Sequence, residues 1–157
     1  MMKLTPRLVI VSCCFLLLSA CGTLATRDDQ YVVETDDAKT KVRPQAGTSK
    51  AVLALLSKAR QSAIEGQLPR SEAFLERALR IEPRNPVLWH YMAKLRLNQG
   101  RLKQAAGLAA KSNSLDRNDK ILQADNWRII AHARHQQGDV EGAQRAQARV
   151  DALLSNN

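Results

Sequence analysis

From residue 51 onward the apolar positions recur at the spacing of helices. Val52, Leu53, Leu55, Leu56, Ala59, Ala63 and Ile64 lie mostly three and four residues apart, the stripe of an amphipathic helix rather than the alternation of a strand. The pattern predicts a first helix over 51–65, stopped at Gly66, since glycine suits the left-handed conformation that ends helices. Pro69 then fits the first turn of a second helix, where its missing N–H costs nothing, and Pro83 closes it. Asn85 is a good N-cap with Pro86 just inside, opening a third helix through Trp89, Met92, Ala93 and Leu97 that stops at Gly100. Three more helices are expected over 102–114, 119–137 and 140–154, the last two parted at Gly138. The prediction is all-α, six helices and no strand.

The chain also repeats itself. Gly66-Gln67-Leu68 superposes on Gly100-Arg101-Leu102 with a shift of 34 residues, and the same shift carries Ile81-Glu82 onto Leu115-Asp116. Trp89 and Gly100 are 11 residues apart, as are Trp127 and Gly138, so a third unit follows at a shift of 38, with four residues inserted. A period of about 34 is that of a tetratricopeptide helix pair. Small Ala93 and Ala131 let the helices of a pair approach, and bulky Trp89 and Trp127, one turn earlier, fill the gap to the neighbouring unit. Ala78, Ala105 and Ala143 recur on the second helices for the same reason. This set of Trp, small residue, Gly, Ala and the Pro at 83 resembles the tetratricopeptide pattern, and the resemblance implies three helix pairs in a short right-handed solenoid. Departures are Lys58 and Ser62 where larger apolar groups are usual, Ser71 for a small Ala, Arg96 for an aromatic and Arg117 for a closing Pro.

Upstream, Lys3 and Arg7 precede an unbroken run of apolar and small residues from Leu8 to Leu18, the layout of a secretory signal. The run is too short for a transmembrane helix, which needs about 20 residues. Leu18-Ser19-Ala20-Cys21 resembles the lipobox of bacterial lipoproteins, which implies cleavage after residue 20, so 1–20 as signal peptide, and a lipid on the sulfur of Cys21. Gly22 stands where an Asp would retain such a protein in the inner membrane, so the resemblance implies the outer membrane, periplasmic face. The other two cysteines, Cys13 and Cys14, fall inside the signal, leaving no thiol for a disulfide or a nucleophile.

Residues 21–48 carry the lipidated cysteine and a tether. Its five acidic and four basic residues, with Pro44 and Gly47 and few large apolar groups, cannot bury enough surface to offset ordering entropy. From Gly22 on, such a coil averages about 30 Å end to end and reaches at most roughly 90 Å. Tyr31-Val32-Val33 is its one apolar cluster, a conceivable docking strand. Residues 49–157 form the tetratricopeptide domain, with 18 Lys and Arg against 10 Asp and Glu.

Alignment of the units puts Arg60, Lys94 and His132 at one inner position and Leu56, His90 and Arg128 at another one turn earlier, with Leu53, Ile64, Leu97 and His135 nearby. The candidate partner-binding residues are therefore Arg60, His90, Lys94, Arg128 and His132, a basic groove that would attract an acidic surface; the plain alternative is a row of solvated polar positions. Nucleic acid is not the expected partner, because an exported domain does not meet it and Trp89 and Trp127 are better explained as core than as base-stacking groups beside Phe74 and Tyr91. Anionic lipid headgroups or a periplasmic protein fit the charge better. No Gly-x-Ser-x-Gly, His-Glu-x-x-His or Gly-rich phosphate loop occurs. His132 and His135, with Asp125 or Asp139, are the one conceivable metal set, set among Arg128 and Arg134, and Glu72 with Glu76 reads as a solvated helix face. The expectation is no enzyme, no metal and no cofactor.

Lipobox, tether and a compact three-unit tetratricopeptide domain together resemble the LpoP-type lipoproteins, outer-membrane activators of a bifunctional class A penicillin-binding protein. The resemblance implies a monomeric, non-enzymatic scaffold that reaches through the cell-wall mesh and binds the periplasmic domain of that peptidoglycan synthase. The alternatives are an assembly factor for a pilus or secretion complex and a self-associating envelope protein.

Overall fold

Three helix-opening residues set the rhythm of the structure. Ser49, Asn85 and Asp119 each turn a side-chain oxygen onto a backbone N–H of the first turn, at Val52, Val87 and Leu122 respectively, satisfying donors that a helix start leaves orphaned. In this computed structural model, which describes residues 43–155, they open α1 (Lys50–Ile64), α3 (Pro86–Asn98) and α5 (Lys120–Gln136). The second helices of the pairs, α2 (Leu68–Ile81), α4 (Leu102–Leu115) and α6 (Val140–Ser155), follow almost at once. The signal segment, Cys21 and the tether as far as residue 42 lie outside the described residues.

The turn inside every pair is one motif used three times. Gly66, Gly100 and Gly138 take φ of 72°, 70° and 81°, and the residue after each donates its N–H back across five residues, Gln67 to Ser62, Arg101 to Arg96 and Asp139 to Arg134. That is the Schellman closure, which needs a left-handed residue. Pro69 sits in the first turn of α2 and Pro86 in that of α3. The elements match the expectation to within one residue or so at each end, and no strand occurs among the described residues.

Packing is sequential, each helix against its predecessor, with α3 also touching α5. Two cores result. The first joins Val52, Leu56, Leu75, Val87, Leu88 and Met92 of α1, α2 and α3 to Leu122. The second is built on Ala93, Ala105, Ala109, Ala131, Ala133 and Ala146, with Ile129, Ile130 and Leu97. Ala93 and Ala131 are buried as predicted, and so are Ala78 and Ala105. On α6 the buried residues are Gly142, Ala146 and Val150, so Ala143 is only half-buried. Two small residues four apart open a wider seat for α5 than Ala143 alone.

Candidate functional site

The first helices carry most of the residues singled out above, and the fold treats them differently. Arg60 on α1 and Lys94 on α3 converge on the ring of Tyr91, with the guanidinium carbon 5.5 Å and Nζ 5.9 Å from its centroid. Both are half-buried and Tyr91 is buried. The electron-rich ring face favours a cation near it, so one aromatic side chain holds two positive charges together on neighbouring units. Such a pair attracts a carboxylate or another anion.

Arg128 and His132 lie one turn apart on α5. Arg128 is exposed and ion-paired with Asp125 on its own helix, and the His132 ring is hydrogen-bonded to the Gln136 amide. Burial pushes the His132 pKa down, and the neighbouring His135 adds to the effect. Among the described residues, no three His, Cys, Asp or Glu side chains gather as a metal site would require.

His90 departs from the expectation. It is 1% exposed, so its ring is not presented to a partner. Its Nδ1 donates to Asn126 Oδ1 at 2.9 Å, because the Asn126 amide nitrogen gives both hydrogens to Ser112 Oγ and Asn113 Oδ1, each at 2.8 Å. Ser112 Oγ in turn donates to the Pro86 carbonyl at 2.8 Å. This network ties α3, α4 and α5 across the boundary of two units. Leu56, at the equivalent position of the first unit, is likewise core. A signal for the network does exist in the sequence: the repeat places Ser112 on Ala78 and Asn126 on Leu88, polar residues where the preceding unit has apolar ones.

Two more expectations change. Glu72 is no solvated group: it receives Arg96 Nη2 at 2.5 Å and Gln99 Nε2 at 3.1 Å, linking α2 to α3. The Arg96 guanidinium, first among the causes, draws the Glu72 carboxyl below its ordinary range. Arg96 thus replaces the usual aromatic with an ion pair. Trp89 and Trp127 are half-buried rather than fully enclosed; Trp127 packs on the alanine core, while the Trp89 indole N–H donates to the Pro83 carbonyl at 2.8 Å and Lys111 Nζ stands 3.5 Å from its ring centroid.

Helix pairs closed by left-handed glycines, with small residues at the crossings, define a tetratricopeptide-repeat protein. The tetratricopeptide-repeat family model matches residues 62–124. Among solved structures, the globular C-terminal domain of LpoP from P. aeruginosa superposes with a TM-score of 0.64 at 40% identity, covering 66% of this chain and 97% of that one. The chain belongs to the LpoP family of tetratricopeptide proteins. The N-terminal domain of stress-induced protein-1 from C. elegans superposes with a TM-score of 0.62 over 69% of this chain and 88% of that one, at 14% identity, which is a likeness of fold alone. No curated protein sequence matches the chain.

Proposed function

We propose that this protein is a lipid-anchored activator of a class A penicillin-binding protein, held at the periplasmic face of the outer membrane through Cys21. The observation that carries the reading is the 40% identity to the LpoP C-terminal domain along 97% of that domain's length. Leu18-Ser19-Ala20-Cys21, with Gly22 after the cysteine, supports the anchor and its membrane. The domain acts without chemistry of its own. By binding the synthase's active conformation more tightly than its resting one, it raises the active population in proportion to that difference. The contact is made by the basic inner face, where Arg60 and Lys94 flank Tyr91, with Arg128 and His132 on the next unit. His90 supports that face from beneath.

Charge reversal tests it. The Arg60→Glu/Lys94→Glu variant is expected to weaken binding to the purified synthase about tenfold or more, as interfacial charge reversal does, and to lose stimulation of glycan polymerisation while keeping its helical circular dichroism. Full affinity with intact helicity moves the contact off this face. Crosslinking in intact cells that captures pilus or secretion components and no synthase overturns the activator reading.

A further inference from the structure

Away from the inner face, a groove of about 780 Å³ runs between α2 and α4. Leu79, Trp89, Met92 and Leu108 supply its apolar lining, with Arg80 on one side and Lys111 over the Trp89 ring at 3.5 Å. Gly107 lines it too, in the interior of α4. Glycine is unfavourable at a helix interior relative to alanine. Nothing in the fold asks for it here, since an added Cβ would meet no atom within 4 Å. What the glycine does provide is space in the groove.

The chain itself enters the fold at one end of this groove. Ser49 N–H donates to Glu82 Oε1 at 2.9 Å, and Asn85 Nδ2 donates to Thr48 Oγ1 at 3.1 Å, so the entry point is fastened on both sides of Pro83, a lining residue. Upstream, the ten residues of 28–37 hold five acids and no base, with Tyr31-Val32-Val33 at their centre. Thr48 lies fifteen positions beyond Val33, a span of at most about 50 Å. A segment on so short a leash faces its own domain at an effective concentration on the order of millimolar, so weak contacts suffice to seat it. The domain from Ser49 onward has eight more basic than acidic residues, the complement of that acidic stretch.

We propose that Tyr31-Val32-Val33, with its acidic flanks, docks in the α2–α4 groove, the apolar side chains against Trp89 and Met92 and the carboxylates toward Arg80 and Lys111. The docked tether shortens the arm between membrane and domain, independently of which partner the inner face takes.

The test uses the full chain in detergent, its native cysteines changed to serine and a spin label placed by Thr35→Cys. Nitrogen-15 spectra then follow the two indole N–H groups, assigned with Trp89→Phe. The expected result is line broadening of Trp89 several-fold beyond that of Trp127, abolished by Tyr31→Ser/Val32→Ser/Val33→Ser and reduced at high salt. Equal broadening of both indoles overturns the proposal, as does broadening that the triple serine variant leaves intact. Mixing spin-labelled chains with separate nitrogen-15 chains identifies a second copy as the occupant if the effect arises only between molecules, and that result also overturns it.

Discussion

The two cores of this small solenoid hold together by different means. Between the first and second units the interior is mostly Leu, Val and Met; between the second and third it is mostly alanine, with the His90–Asn126–Ser112 network along its border. Leucine supplies area: a fully buried Leu contributes about 1.5–3 kcal/mol relative to exposure. Alanine supplies little area but lets backbones approach, so that dispersion among many close atoms and a satisfied polar cluster take over. The first core should therefore suffer most from truncation, the second from enlargement or from loss of a polar partner.

The largest effect is expected in the first core. Leu88→Ala, at a position with 0% exposure, should lower unfolding free energy by about 2–5 kcal/mol in urea titration. Asn126→Ala attacks the border: it removes one partner shared by His90, Ser112 and Asn113 and should cost about 2–4 kcal/mol, a loss of buried hydrogen bonds worth about 1–3 kcal/mol for each group left short of a partner. If that variant costs less than an exposed substitution does, the network contributes nothing and the comparison fails. Ala131→Leu overfills the alanine core and should cost about 1–3 kcal/mol, whereas an added methyl at half-buried Ala143 should cost clearly less.

The smallest effect is one of pH. Glu72 has its pKa lowered in the folded state, chiefly by Arg96, so the stability it contributes is fully present above the unfolded value and disappears as pH falls through the folded one. Glu72→Gln should thus be less stable than the parent at neutral pH, and the two melting temperatures should converge as pH drops well below the ordinary glutamate value of 4.5. A gap that persists in acid would mean that shape, not charge, joins α2 to α3.

Arg60 and Lys94 were legible as a pair from the 34-residue alignment alone, and the tertiary structure adds the ring that gathers them, Tyr91. The alignment alone puts His90 on the open inner face, but a polar residue at an inner position faces solvent only if no neighbouring unit covers it, and Asn126 of α5 does. Glu72 likewise reads as solvated from its own helix, because its partner is 24 residues away, beyond any periodicity within one helix.

Local chemistry settled the helices without help from the fold. Proline and glycine restrict or free φ wherever they stand, Ser, Asn and Asp cap the next turn by short-range hydrogen bonds, and a fixed period forces identical turns; so the six helices in three pairs among the described residues, with stops at Gly66, Gly100 and Gly138, were all determined by the sequence itself. Tertiary structure alone decided which polar side chains are interior and which charges meet, since burial and Coulomb pairing depend on distances between units that no local pattern encodes.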